Sequence, residues 1–277
     1  MAKPGASERI VDQVKERYGR IAREASSCCG PVPISCGTAD IGYDANELAS
    51  IPEEANLGLG CGAPVERLGL RPGETVLDLG SGGGIDVFLA ARLVGPMGRV
   101  FGVDMTPDML ARARANAVKG GYTNVEFREG RLESLPIDDA TIDAVTSNCV
   151  INLVPDKAAV FREIYRVLKP GGRLVVSDIV LDGNLPDAIE KNILLYVGCV
   201  AGALHRERYF EIVHAAGLRN IEVLADVDFL AALGNNLPDD VKTVLEESGV
   251  RIEELLGIVR SVTFRAEKPD VRSQIPT

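Results

Sequence analysis

Residues Val76 to Gly84 read Val-Leu-Asp-Leu-Gly-Ser-Gly-Gly-Gly. This apolar run contains an acid and ends in closely spaced glycines, and an amphipathic segment follows from Ile85 to Val94. The pattern predicts a buried strand, a tight turn and the start of a helix, because glycine adopts positive φ and lets a ligand approach the bare backbone. The Gly-x-Gly-x-x-Gly fingerprint of dinucleotide folds is not met, since Ile85 occupies the position of its third glycine.

A second predicted strand ends in another acid, Asp104, which lies 20 residues beyond the last glycine of the turn. At that spacing the carboxylate of the next strand reaches the ribose hydroxyls of a bound nucleoside. The alternative role for Asp104 is the N-cap of a helix that begins near Pro107. Thr106 or Asp108 could serve that helix instead, so we expect Asp104 to be free to bind a ribose.

The composition is that of an ordinary globular chain, with 277 residues of which 46% are hydrophobic and 25% charged. The formal charge of −10 argues against nucleic acid and anionic membranes as partners, because lysine and arginine lead phosphate binding. No secretory signal is recognised, and the longest apolar run, Ile193 to Leu204, is too short to span a bilayer. Six cysteines in this length do not make a disulfide scaffold. We therefore expect a cytoplasmic protein with reduced thiols.

From residue 75 onward, predicted strands alternate with predicted helices. The strands are 75–79, 99–103, 124–128, 142–147, 172–179, 220–226 and 258–266. The helices are 84–94, 108–119, 156–168 and 206–216, and a further helix, 8–25, precedes them. Such alternation is typical of an α/β fold with a doubly wound, mostly parallel sheet, here of seven strands. We expect an N-terminal helix and cysteine-containing wrap (1–67), a core (68–181), and a C-terminal part that completes the sheet (182–277).

The cysteines need an explanation of their own, since none forms the Cys-x-x-Cys spacing of a structural zinc site. Cys149 follows the fourth strand, at the sheet edge where ligands of parallel sheets bind. Cys61 lies in a glycine-rich stretch of exposed-loop composition, and Cys199 lies among small residues. For any one of them the alternative is a small buried hydrophobe, and their spacing alone does not show that they converge.

Over residues 8–267 the chain resembles the arsenite methyltransferases, a branch of the seven-stranded, Rossmann-like S-adenosylmethionine-dependent methyltransferases. The most distinctive stretch runs from Ser147 to Lys157 and reads Ser-Asn-Cys-Val-Ile-Asn-Leu-Val-Pro-Asp-Lys. Further matching stretches are Gly60-Cys61-Gly62, Asp104-Met105-Thr106, Cys199 with Gly202-Ala203-Leu204, and Val262-Thr263-Phe264-Arg265. Two positions depart from the eukaryotic members of the family, because Leu59 stands in place of a tyrosine and His205 in place of an aromatic residue.

The resemblance implies a cofactor, a substrate and a set of residues for each. S-adenosyl-L-methionine would be held by Asp78, Gly80, Ser81, Gly82, Gly84, Asp104, Met105, Leu132, Glu133 and Asn148. Arsenite or methylarsenite would be bound through arsenic(III) by Cys61, Cys149 and Cys199, since soft thiolates select soft centres. An N-terminal cysteine, for which Cys28, Cys29 and Cys36 all compete, would exchange electrons with thioredoxin or glutathione, or would merely deliver arsenic(III) to the three ligands. We expect Cys28 or Cys29 to pair with a distant partner such as Cys61.

Two other functions share parts of this sequence. A methyltransferase of an organic small molecule, such as a C-methyltransferase of a quinone, would keep everything from Val76 to Asp104. It would need an acid or histidine as a base, with His205 as the candidate, and would leave Cys61 and Cys199 without a role. A thiol-based metalloid sensor on an inactive scaffold is disfavoured by the intact glycine motif.

Overall fold

The protein is described here by a computed structural model over residues 5–24, 42–190, 202–233 and 239–270. Its strands within these ranges are β1 (Thr75–Leu79), β2 (Arg99–Asp104), β3 (Val125–Glu129), β4 (Ile142–Asn148), β5 (Leu168–Leu181), β6 (Leu204–His205), β7 (Arg219–Asp228) and β8 (Val259–Glu267). They form one sheet of order β3-β2-β1-β4-β5-β8-β7, and β6 pairs with β5. Strands β1 to β5 pair in parallel, whereas β8 is antiparallel to both of its neighbours. The predicted α/β fold with a mostly parallel sheet is confirmed.

The helices alternate with these strands. They are α1 (Ala6–Glu24), α2 (Ala45–Leu48), α3 (Ile85–Val94), α4 (Pro107–Lys119), α5 (Lys157–Val167), α6 (Asp187–Glu190), α7 (Arg206–Ala215), α8 (Phe229–Leu233) and α9 (Asp239–Ser248). Local sequence sets several ends: Gly95 follows α3, proline opens α4, and the Asp156 carboxylate accepts the Ala159 N–H at the start of α5. In the part of the chain that the structure describes, every helix is too short or too polar to cross a membrane.

The sheet is covered on both faces because successive side chains of each strand point in opposite directions. Val76 of β1 joins a buried cluster with α3 and α4, whereas the next residue, Leu77, joins a cluster with α5 and α7. Both side chains are completely buried. Residues 42–67 also contribute to the α3 side, where Tyr43 and Val65 are buried.

The strand order reverses between β1 and β4, because β2 and β3 extend the sheet on one side and β5 extends it on the other. The carboxyl ends of β1 and β4 therefore flank a topological switch point, which is where open α/β sheets bind ligands. The glycine turn follows β1 and Cys149 follows β4 directly. The fold thus brings the two most informative parts of the sequence to one edge.

One strand boundary differs from the sequence-based expectation, and one strand is additional. Strand β5 begins at Leu168 and not at residue 172, because Gly171 and Gly172 exchange backbone hydrogen bonds with Lys268 beyond β8. Residues 168–171 are therefore part of an irregular strand, whose pairing with β4 shifts register between Ile142 and Ala144. The extra short strand β6 was not expected, and it adds to the carboxyl end of β5.

Candidate active site

The turn after β1 requires glycine for two separate reasons. Gly80, Gly82 and Gly84 all have positive φ, at 69°, 49° and 98°. In addition, a Cβ at Gly80 would lie 2.4 Å from a methyl carbon of Val150. A Cβ at Gly84 would lie 2.7 Å from the ring of Phe88. The motif is therefore needed both by the backbone conformation and by close packing around it.

The N–H groups of this turn bond within the protein. Gly80 and Ser81 both donate to the Val103 carbonyl, at 2.8 and 3.1 Å, and Gly82 donates to an Asp104 carboxylate oxygen at 3.0 Å. Gly84 donates to the Ser81 carbonyl at 2.9 Å. These N–H groups are therefore bonded within the protein, and the approach of a ligand to the backbone of the glycines stays a prediction. The glycines leave room beside the backbone for a ligand.

Buried carboxyl groups crowd the turn. Asp78 is 3% exposed, and burial followed by the nearby Asp86 and Asp104 raises its pKa well above the usual value. Burial also raises the pKa of Asp86 to about 6 and that of Asp104 above its usual range. A ligand that carries positive charge would relieve this repulsion. The turn is therefore suited to a cationic ligand.

Asp104 is not free as we expected. Its Oδ1 accepts the Thr106 N–H at 2.8 Å and its Oδ2 accepts the Gly82 N–H. Thr106 occupies the N-cap position of α4, but its side chain makes no capping hydrogen bond. Each carboxylate oxygen can accept more than one hydrogen bond, so Asp104 keeps capacity for a hydroxyl partner while it fixes the turn.

The turn after β3 lies beside Asp104, because the Gly130 N–H donates to the Asp104 carbonyl at 3.1 Å. Leu132 in this turn is 6% exposed. The carboxylate of Glu133 pairs with Arg131 at 2.6 Å, so it is held by the protein and is not presented alone to a ligand. Of this pair, the buried Leu132 is the better candidate for contact with an apolar ring.

The two described cysteines converge. Ligand atoms of Cys61, Cys149 and Asp178 all lie within 4.8 Å of one another. Cys61 is only 5% exposed, which corrects our expectation of an exposed loop. Its stretch is drawn in by hydrogen bonds, since the Ser261 hydroxyl donates to the Cys61 carbonyl at 2.5 Å. Composition missed this burial because the hydrogen bonds come from distant parts of the chain.

Cys149 has a constrained backbone. It is one of the few non-glycine residues with positive φ, at 57°, in the described ranges. Its N–H donates to the Ser177 carbonyl at 2.8 Å, which ties the residue after β4 to β5. A strained conformation held by its surroundings is common where a side chain must be aimed. Here it aims a thiol at Cys61.

Asn148, predicted to contact the cofactor, has hydrogen bonds to the cysteine turn. Its side-chain carbonyl accepts the Cys61 N–H at 2.9 Å, and its amide donates to the Gly62 carbonyl at 2.6 Å and to the Tyr43 hydroxyl at 2.9 Å. These contacts use both amide hydrogens. The side chain therefore fixes the cysteine turn, and its assignment to the cofactor stays a prediction.

The sequence analysis missed Asp178. This residue is 1% exposed, and it accepts hydrogen bonds from Tyr209 (2.9 Å), Asn152 (2.9 Å) and the Ile179 N–H (3.0 Å). Burial, partly offset by these partners and Lys157, raises its pKa to about 7. A signal was present, because Ser177-Asp178 is a polar pair within the apolar run of β5.

The cysteine pair and the glycine turn belong to one site. Val150 follows Cys149 and packs against Gly80, where a Cβ would clash with it. Val150 and Met105 also pack against the cluster that contains Cys61. A ligand in the glycine turn would therefore lie next to the thiols.

Comparison with known proteins agrees with this geometry. Residues 70–248 match the family described as "Methyltransferase domain". The arsenite methyltransferase of Halobacterium salinarum is 44% identical over 78% of this chain and 59% of its own length. That of Aquipseudomonas alcaligenes is 37% identical over 78% of this chain and 64% of its own. The crystal structure of CrArsM, an arsenic(III) S-adenosylmethionine methyltransferase from Chlamydomonas reinhardtii, has a TM-score of 0.60 at 31% identity and covers 89% of this chain and 76% of that one.

The chain belongs to the arsenite methyltransferase family. It spans about three fifths of the length of the two curated arsenite methyltransferases just described.

For a member of the arsenite methyltransferase family, part of the predicted site is assembled here. Cys61 and Cys149 are together, whereas Cys199 lies outside the described residues. Cys28, Cys29 and Cys36 also lie outside them. The binding of arsenic by Cys61, Cys149 and Cys199 and the identity of the redox cysteine therefore stay predictions.

Proposed function

We propose that this protein transfers the methyl group of S-adenosylmethionine to trivalent arsenic that is bound by cysteine thiolates. Its substrates would be arsenite or methylarsenite, and its role arsenic detoxification. The observation that carries the proposal is the convergence of Cys61 and Cys149 beside the glycine turn. Val150, which follows Cys149, packs against Gly80 of that turn. The named functions of the relatives agree with it.

The glycine turn suits S-adenosylmethionine, which supplies a sulfonium methyl group when it is bound. The positive charge of that molecule matches the buried carboxyl groups of Asp78 and Asp86. Asp104, which orders the turn, would accept a ribose hydroxyl with its remaining lone pairs. Leu132 would contact the adenine.

The thiol pair suits arsenic(III). Thiolates are soft ligands and favour soft centres over hard cations. Arsenic held by thiolates keeps a lone pair, which forms the new As–C bond while the S–CH3 bond breaks and its electrons remain on sulfur. Transfer then depends on alignment of donor, methyl group and arsenic, which the packing of Cys149-Val150 on Gly80 would provide. No base is needed in this step.

Methylation formally oxidises arsenic(III) to arsenic(V), so two electrons must return before the next cycle. We propose that a thiol pair supplies them and becomes a disulfide, with Cys28 or Cys29 as one member. Thioredoxin or glutathione would then reduce that disulfide. We further propose that the protein works in the cytoplasm, because this chemistry needs reduced thiols.

The competing function, C-methylation of an organic molecule such as a quinone, is less well supported. Its candidate base, His205, is exposed at the end of β6, and the other histidine, His214, is exposed on α7. It also gives the paired thiols no task. The cysteine geometry therefore favours arsenic.

A direct experiment is to incubate the purified protein with arsenite, S-adenosylmethionine and a thiol reductant, and to separate the arsenic products. We expect methylated arsenic to form with wild type and not with Cys61→Ser. Consumption of the methyl donor without methylated arsenic, or equal product from the variant, would contradict the proposal.

A further inference from the structure

A buried chain of hydrogen bonds joins the cofactor side of the site to Cys61. The hydroxyl of Tyr43 donates to Asp86 Oδ1 at 2.8 Å and accepts the Asn148 amide N–H at 2.9 Å. Asn148 in turn holds the backbone on both sides of the Cys61 thiol, by accepting the Cys61 N–H and donating to the Gly62 carbonyl. Tyr43 and Asp86 are each 3% exposed.

The ends of this chain belong to different halves of the site. Asp86 lies in the first turn of α3, directly after the glycine turn, and contributes to the raised pKa of Asp78. Cys61 is one of the two convergent thiols. Asn148 packs so closely on the cysteine turn that a Cβ at Gly60 would lie 2.8 Å from its amide nitrogen. The contact is therefore specific in geometry and not a loose polar association.

The electrostatics favour a fixed direction of donation. Burial and then Asp86 raise the pKa of Tyr43 well above 10, so its hydroxyl stays protonated. With a pKa of about 6, Asp86 is ionised at neutral pH and accepts a charge-assisted hydrogen bond. A cation in the glycine turn would favour ionised Asp86 further and so strengthen the anchoring of Tyr43.

We propose that Asp86, Tyr43 and Asn148 form a relay through which ligand binding at the glycine turn fixes the position of Cys61. Tyr43 is thus a positioning residue for the metalloid thiol. This inference rests on the proposed function in one respect, namely that the turn binds S-adenosylmethionine.

The test follows how often each thiol opens to solvent. Wild type, Tyr43→Phe and Tyr122→Phe are treated with iodoacetamide, and alkylation of each cysteine is followed by peptide mass spectrometry. Tyr122 is a matched control because it packs on Phe88 beside the same glycine turn but outside the relay. S-adenosylhomocysteine is the probe ligand, since it has no methyl group to transfer and keeps a cationic amino group for the glycine turn. Its affinity is measured by calorimetry, because the chain has no tryptophan.

We expect Tyr43→Phe to raise the alkylation rate of Cys61 about tenfold, because a hydrogen-bonded anchor of its turn is lost. Cys149, held by the Ser177 carbonyl, should change less than twofold. In wild type the probe should slow alkylation of Cys61 severalfold. In Tyr43→Phe this protection should disappear although the probe binds within threefold of its wild-type affinity. Tyr122→Phe should behave like wild type throughout.

Other outcomes have definite meanings. Equal increases at Cys61 and Cys149 would show general loosening and overturn the relay, as would unchanged Cys61 or retained protection in Tyr43→Phe. Should that variant fold poorly, Asp86→Asn keeps the shape of the acceptor, and we expect from it a smaller increase at Cys61 alone. Arsenic(III) binding to wild type is measured separately. Its absence would contradict the proposed function and still leave the alkylation result interpretable.

Discussion

The glycine turn and the thiol pair lie at the same edge of the sheet but are built in opposite ways. The turn consists of consecutive residues, and its conformation follows from glycines that must adopt positive φ. The thiol pair consists of Cys61 from the segment before β1 and Cys149 after β4, and Asp178 within β5 lies beside both. It exists only when long-range hydrogen bonds bring these segments together. One half of the site is therefore specified locally and the other by the completed fold.

The largest effect is expected on the thiol side. Cys149→Ser should abolish arsenic(III) binding and methylation of every arsenic substrate, because a hydroxyl is a hard and much weaker ligand. Calorimetry with arsenic(III) and product analysis measure the two losses. Binding of S-adenosylhomocysteine should persist, since the glycine turn is built without this side chain. Arsenic methylation at the wild-type rate by this variant would remove Cys149 from the ligand set.

The next largest effect is expected from a substitution in the glycine turn, the locally specified half of the site. Gly80→Ala should lose S-adenosylhomocysteine affinity by more than tenfold, because the new methyl group meets Val150 at 2.4 Å in addition to the cost of positive φ. Gly121→Ala is the matched control, with nearly the same φ (68° against 69°) and no atom within 4 Å of the added Cβ. The control should lose about 1–2 kcal/mol of stability and keep its ligand affinity. Similar affinities in both variants would mean that the contact with Val150 does not matter.

A third change separates binding on the two sides. Asp104→Ala should weaken binding of S-adenosylmethionine by about 1.5–3 kcal/mol, through loss of a charged acceptor, while arsenic(III) binding survives. Asp108→Ala, on the neighbouring turn, removes an acid that pairs with Arg23 at the surface, and it should change neither affinity. Unchanged cofactor affinity in Asp104→Ala would exclude Asp104 from the site.

The same contrast explains how far the sequence could be interpreted. The strand, glycine turn and helix from Val76 onward are correct because each depends on neighbours in sequence. The burial of Cys61 was missed because its hydrogen-bond partners, Asn148 and Ser261, are remote in sequence. Asp178 was missed for a similar reason, since an acid within a strand gains meaning only when its neighbours across the sheet are known.

The smallest expected effect is on the pH dependence of the unfolding free energy, and it involves one acid from each half of the site. Asp86 near the turn and Asp178 near the thiols have pKa values raised to about 6 and about 7 by burial. A carboxyl with a raised pKa binds its proton more tightly in the folded state, so it stabilises the fold at low pH. That stabilisation is lost as the pH rises from the unfolded pKa, near 4, to the folded pKa. The two acids should therefore act over different pH windows.

Between pH 6 and 7 Asp178 should contribute about 1 kcal/mol to the decline, in addition to any contribution from the buried Asp78. Asp178→Asn should make the unfolding free energy less dependent on pH between pH 6 and 7, whatever its effect on absolute stability. Asp86→Asn should instead flatten the decline between pH 4 and 6 and leave the upper window unchanged. Urea denaturation at each pH measures both slopes. A slope between pH 6 and 7 that is as steep in Asp178→Asn as in wild type would show that Asp178 is already ionised in the folded protein. The thiol pair would then lie beside a fixed negative charge, and the two halves of the site would be electrostatically alike.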